Sequence, residues 1–121
     1  MNILFCDDEN LLCTCAREIF LNTEHDFLYT ESIEQSKLAI KTLSFDVIII
    51  DILWGGIDQG FRLVDYINDL YKHSDLNRPL IYVTSAAIHR FDKQLDQYKQ
   101  SIDGAYQKPE ELIELLKQLA K

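Results

Sequence analysis

Asp7, Asp8 and Glu9 follow directly on an apolar run over residues 3–6, and Asp51 closes a second apolar run over residues 47–50. Carboxylates gathered at the ends of neighbouring runs push up one another's pKa values unless positive charge sits among them. A hard divalent cation answers that need. Magnesium takes oxygen ligands, keeps several waters, and is held by one or two protein carboxylates together with a phosphate oxygen. In such an arrangement Asp8 and Asp51 ligate Mg2+ directly and Asp7 holds a metal-bound water. One carboxylate can then attack an activated phosphoryl group and form an acyl phosphate. Asp51 is the expected nucleophile, because it ends the more buried run whereas Asp7 and Asp8 enter a loop. Phosphoryl transfer needs in-line positioning and neutralisation of three equatorial oxygens. The metal takes one, the Lys108 ammonium a second and the Thr84 hydroxyl a third.

Those residues are useful together only if the fold brings them to one edge, and the hydrophobic pattern says how. Short apolar runs alternate with helical periodicity along the whole chain. Leu12, Cys15, Ala16, Ile19 and Phe20 follow helical spacing after the first run, and residues 26–30 make a second run. Ser32-Ile33-Glu34-Gln35 has the form of a capping box, with Ser36, Ala39, Ile40 and Leu43 as the stripe of the helix it starts. The run 47–50 is β-branched and apolar on both faces, which suits a central parallel strand. A loop with Gly55, Gly56 and Gly60 leads to a helix facing inward through Leu63, Val64, Ile67, Leu70 and Tyr71. After a polar connection over 72–78, residues 79–84 read as a fourth strand, with Pro79 tolerated at its first position. Ile88, Phe91, Leu95 and Tyr98 form a thin stripe on an otherwise polar helix, expected to be held less firmly than its neighbours. A weak strand near Ala105 and Tyr106 precedes Lys108-Pro109, and Leu112, Leu115, Leu116, Leu119 and Ala120 mark a strongly amphipathic last helix.

Five strands alternating with five helices predict an α/β fold, a doubly wound five-stranded parallel sheet covered on both faces, as one domain over residues 1–121. In such sheets ligands bind beyond the carboxyl ends of the strands, at the switch point in strand order. Asp7, Asp8, Asp51, Thr84 and Lys108 all fall at or just past a predicted strand end.

Composition excludes other classes. A net charge of -8 repels phosphate backbones and anionic lipid heads, so neither nucleic acid nor a membrane is an expected partner. There is no basic segment ahead of the first apolar run and no run long enough to span a bilayer, so a cytoplasmic protein is expected. Cys6, Cys13 and Cys15 have neither zinc-site nor disulfide spacing and read as small buried or half-buried thiols.

Asp7-Asp8 after the first strand, Asp51 after the third, Thr84 after the fourth and Lys108-Pro109 after the fifth resemble the receiver domain of two-component response regulators, over essentially the whole chain. The resemblance implies a flavodoxin-like (βα)5 sheet of order 2-1-3-4-5, with Asp51 as phosphoacceptor. It also implies a magnesium pocket of Asp7, Asp8, Asp51 and the backbone carbonyl of Leu53, with Thr84 and Lys108 contacting the phosphoryl group. The donor it implies is a phosphohistidine on a sensor histidine kinase or a histidine phosphotransfer protein. The output is a change in a surface that binds a downstream protein, expected on the face of the fourth helix, fifth strand and fifth helix, since no segment remains for an output domain. Such a protein modifies itself rather than turning over a substrate.

The chain departs from the family at several points. Trp54 and Gly55 stand where the family usually has methionine and proline, the loop to Gly60 is one residue longer, and Ser85 stands where alanine is usual. Ala105 occupies the usual position of an aromatic switch residue, with Tyr106 beside it. Either a deletion brings Tyr106 into that role or the relay works differently; strand period favours the second, because neighbours point to opposite faces. Leu53 and Ala86 are apolar where fast-hydrolysing members are polar, so slow autodephosphorylation is expected.

Taken singly, each feature has an ordinary structural explanation: Asp7-Asp8-Glu9 as an acidic first helical turn, the other residues as surface groups. Their coincidence at one sheet edge outweighs those readings. His25, His73 and His89 lie away from the predicted pocket, Trp54 reads as a loop anchor, and Glu110, Glu111 and Glu114 as a solvated helix face. A flavodoxin-like cofactor binder would need backbone donors where the three acids stand. An aspartyl phosphohydrolase would need two aspartates spaced by two. The remaining alternative is a receiver-like module that is not phosphorylated and serves only in protein interaction.

Overall fold

The computed structural model describes residues 1–74 and 76–121; within the predicted 72–78 connection, residue 75 lies outside the described residues. Strand β1 spans Asn2–Cys6, and a 3-10 turn over Asn10–Leu12 leads into α1, Cys13–Phe20. Then come β2 (Asp26–Thr30), α2 (Ile33–Thr42), β3 (Val47–Asp51), α3 (Gly60–Tyr71) and β4 (Leu80–Ser85). A 3-10 turn over Ile88–Phe91 continues into α4, Asp92–Gln97, followed by β5 (Gly104–Gln107) and α5 (Glu110–Leu119).

All strand pairs are parallel and the order is β2-β1-β3-β4-β5, so the predicted α/β doubly wound topology is present. Every residue of β3 is buried, as its β-branched run requires. One core layer joins Leu4, Ile48, Ile50, Ile81 and Val83 of the sheet to Ile40, Leu63, Val64 and Ile67 of α2 and α3. The opposite layer packs Ile3, Phe5, Val47 and Ile49 on Ala16, Phe20, Leu112, Leu115 and Leu116 of α1 and α5. Strand order reverses at β1 and β3, and their carboxyl ends carry Asp7 and Asp51.

The helix stripes differ from the periodic reading at their margins. In α1 the buried positions are Cys13, Ala16 and Phe20, while Cys15 is half-buried on the flank. Leu43 is 53% exposed because α2 stops at Thr42 and Leu43 takes an extended conformation. Leu70 is 42% exposed while Gly60 and Phe61 are buried, so the stripe of α3 runs about one turn earlier than expected. The Ser32 hydroxyl accepts the Gln35 N–H at 3.0 Å, the capping bond that the sequence predicts.

The segment after β4 is the least regular of the helical connections. Ile88 and Phe91 are buried, but α4 itself has no buried residue. Its far end is tied down by Tyr98, whose ring packs on Phe61 with centroids 4.7 Å apart and whose hydroxyl donates to Asp65 at 3.0 Å.

Candidate functional site

Asp7 leaves β1 with its backbone fixed from both sides. Its N–H donates to the Thr30 carbonyl at 3.1 Å, and its carbonyl accepts the Tyr29 hydroxyl at 2.6 Å. Its carboxylate accepts the Glu9 N–H at 2.9 Å and the Lys108 Nζ at 2.9 Å. Asp7 is 1% exposed and Asp51 4% exposed, and Lys108 Nζ stands 3.4 Å from Asp51 Oδ1. Asp8 is exposed and accepts the Gly55 N–H at 2.8 Å. The convergence is close: carboxylate oxygens from Asp7, Asp8 and Asp51 all lie within 4.8 Å of one another.

The loop that follows Asp51 is a tight hairpin. Trp54 and Ile57 exchange backbone hydrogen bonds at 2.8 and 3.1 Å across Gly55 and Gly56, both at positive φ, the left-handed region open to glycine. Trp54 is buried, and its indole N–H donates to the Asp51 carbonyl at 2.6 Å, so it is the loop anchor that the sequence suggests. Gly60 opens α3 directly against β3: a Cβ there would stand 2.3 Å from the Asp51 carbonyl oxygen. Only glycine permits that approach.

Thr84 pairs in register with Asp51, but its hydroxyl donates to the Tyr106 carbonyl at 2.9 Å and the residue is fully buried. Ser85, one residue on, lines the cavity beside Asp51. Ala105 packs in the α2/α3 layer and Tyr106 in the α1/α5 layer, edge-on to Tyr82 at 5.6 Å, so the two residues face opposite sides of the sheet.

Electrostatics follow from this crowding. Burial and the charge of Asp7 push the Asp51 carboxyl up from 3.8 to about 8, with Lys108 pulling the other way. Burial lowers the Lys108 ammonium, but Asp51 and Asp7 more than offset it and the net shift is upward, so it stays charged. Burial and then the charge of Asp7 raise the Tyr29 phenol, which therefore remains a donor to the Asp7 carbonyl.

A cavity of about 340 Å³ opens at this edge, lined by Asp51, Leu53, Gly55, Ser85, Ala86 and Lys108 among others. Three convergent carboxylates face one ammonium, and burial first and the charge of Asp7 second raise the Asp51 carboxyl. An all-oxygen donor set of that charge fits Mg2+.

No protein-family model matches the sequence, and no curated protein sequence matches it. Solved structures do. A receiver domain of a Francisella response regulator superposes with a TM-score of 0.68 at 21% identity, covering 99% of this chain and 98% of the other. The response regulator TrrA of Thermotoga maritima, in complex with Mg2+ and BeF, gives 0.75 at 21% identity over 98% and 95%. The fold is that of a receiver domain. A Burkholderia pseudomallei response regulator with a phosphorylated aspartic acid, a calcium ion and citrate gives 0.77 at 16% identity, over 95% of this chain and 64% of that one.

Within this receiver fold Asp7, Asp8, Asp51 and Lys108 meet at one point, and Leu53 lines the same cavity. Thr84 lies next to them with its hydroxyl turned to β5. His73 and His89 are exposed and His25 meets the terminal amino group, all outside the cavity. Sequence reasoning passed over Gln107, whose carboxamide bridges to the 86–88 segment. Its place next to Lys108 was the available signal, but a strand-end glutamine is too common to stand out.

Proposed function

We propose that this chain is a phosphorylation-dependent signalling switch: Asp51 accepts a phosphoryl group from a phosphohistidine on a sensor histidine kinase or histidine phosphotransfer protein, with Mg2+, and a downstream protein reads the result. The observation that carries this reading is the convergence of Asp7, Asp8, Asp51 and Lys108 at the switch point of a receiver fold.

Asp7, Asp8, Asp51 and the Leu53 carbonyl would hold the cation, which when bound supplies charge neutralisation for a phosphoryl oxygen. An Asp51 carboxylate oxygen attacks phosphorus, the O–P bond forms as the P–N bond to the donor histidine breaks, and the leaving imidazole nitrogen takes up a proton. Lys108, already 3.4 Å from Asp51, meets a second oxygen. Thr84 meets a third by turning its hydroxyl from the Tyr106 carbonyl. Because the hairpin and Gly60 fix the Asp51 carbonyl, the acceptor moves little. The protein works as a self-modifying switch in the cytoplasm rather than as a turnover enzyme. Its net charge of -8 favours a protein partner over nucleic acid or a membrane surface. Among the described residues no helix is long and apolar enough to cross a membrane.

Incubation with Mg2+ and phosphoramidate, followed by intact-mass measurement, tests the reading. A phosphoryl gain that disappears in Asp51→Asn and on chelation supports it. No gain with phosphoramidate or any other small donor overturns it in favour of a non-phosphorylated interaction module.

A further inference from the structure

Gln107 is the last residue of β5 and the neighbour of Lys108. Its side-chain oxygen accepts the Ile88 N–H at 3.0 Å, and its side-chain nitrogen donates to the Ala86 carbonyl and, at 3.3 Å, to the Lys108 carbonyl. Its backbone N–H donates to the Glu111 carboxylate in the first turn of α5 at 2.7 Å. Around it, the Lys108 N–H donates to the Ser85 carbonyl at 2.9 Å, and the Ser85 hydroxyl accepts the Ala87 N–H at 3.1 Å. One carboxamide thus grips the main chain on both sides of Ala87 while attached to the residue before the site lysine.

Resting on the reading of Asp51 as acceptor, we propose that Gln107 couples the phosphoryl site to the segment after β4: it clamps the 86–88 segment to β5, so that a shift of Lys108 or Ser85 toward a phosphoryl group on Asp51 carries the 3-10 turn with it. The position that faces the α2/α3 layer in β5 is alanine, which offers only a methyl group to the cluster holding Ile88 and Phe91, and the Tyr106 ring faces the other layer. Gln107 joins β5 to this segment by main-chain bonds that do not depend on the side chains of Ala86 or Ala87. The turn it holds is the one that buries Ile88 and Phe91, the near apolar attachment of a segment whose helix α4 only half-buries Leu95 and whose far end is held by Tyr98. Rigid coupling at Ala86 and Ile88 therefore moves this near attachment.

The test is amide hydrogen exchange on the full chain, free and loaded with Mg2+ and beryllium fluoride as phosphoryl mimic, with phosphoryl uptake from phosphoramidate measured alongside. The wild type is expected to change its exchange over residues 86–91 on loading. Gln107→Leu, which keeps the bulk and loses the bonds, is expected to exchange about tenfold faster there when free, as loss of hydrogen bonds worth ~1 kcal/mol or more implies. Its difference between free and loaded forms over 86–91 should vanish, although Asp51 is still phosphorylated. Gln107→Glu keeps the acceptor for Ile88 but not the donor for Ala86 and should fall between, and it carries the comparison if Gln107→Leu loses protection in β1 and β3. A phosphorylated variant that responds like the wild type overturns the proposal alone. A wild type that takes up no phosphoryl group overturns the functional reading and this proposal with it.

Discussion

The two ends of the sheet use the same residue type in opposite ways. At the amino-terminal end, Asp46 and Asp103 each precede a strand and each form a reciprocal pair with the neighbouring one. Asp46 accepts the Asn2 N–H at 2.7 Å and donates its own N–H to the Asn2 carbonyl at 2.8 Å. Asp103 does the same with Ile81, at 2.8 and 2.7 Å, and adds Arg78 at 3.4 Å. At the carboxyl end, Asp7, Asp8 and Asp51 face one another around a single lysine. The difference lies in what surrounds each carboxylate. Asp46 and Asp103 each close a pair with one backbone neighbour, whereas Asp7 and Asp8, although each accepts a backbone N–H, also crowd Asp51, and Lys108 is the cation that meets Asp7 and Asp51. The first kind of aspartate closes the sheet edge, and the second kind gathers charge at one point.

Substituting one acid at each end gives the sharpest contrast. Asp51→Asn should reduce phosphoryl uptake by more than about a hundredfold, since the nucleophile is gone. Asp46→Asn should leave uptake within about threefold while costing on the order of 1 kcal/mol of stability in denaturant unfolding. Equal loss of uptake in both would erase the distinction. Next in size is Gly60→Ala, whose methyl group meets backbone rather than a flexible side chain; it should cost about 1–3 kcal/mol and displace Asp51, read by unfolding and by uptake.

A pH titration separates the ends without mutation. The folded Asp51 holds its proton up to about 8, whereas in the unfolded chain it loses it near 3.8. The folded state therefore binds more protons between those values, and metal-free stability should fall as pH rises from about 4 to about 8. Asp51→Asn should flatten that slope, and Mg2+ should bind more tightly as pH rises, because it competes with the proton. A metal-free protein equally stable at both ends of that range would show that the acids are not crowded. Phosphorylated protein should decay over minutes or longer, since Leu53 and Ala86 give the cavity no polar side chain at those positions; decay within seconds contradicts this. Smallest in effect, Cys15 should react with a thiol reagent in the native state while Cys6, buried and pushed up to about 11, should not.

Much of this was legible in the sequence because period and position carry it. The β-branched run 47–50 suited a buried central strand, and acids placed directly after two such runs share an edge once the sheet is parallel. Tyr106 and Ala105 were assigned to opposite faces by strand alternation alone, as the core layers bear out. What the pattern could not give was side-chain direction and helix margins. Whether the Thr84 hydroxyl meets the cavity or a β5 carbonyl is a rotamer choice with no sequence signature. Leu43 and Leu70 kept helical spacing but lie exposed at helix ends, where periodicity does not say how far the covering layer extends. The grip of Gln107 depends on register across two strands and a turn, so no local window contains it.

The indole of Trp54, the chain's single tryptophan, touches the main-chain oxygen of Asp51 from inside the core. A chromophore so placed lies in the electric field of whatever occupies the cavity. Its emission should change as charge enters that space, giving a built-in optical record of cation and phosphoryl occupancy without any added label.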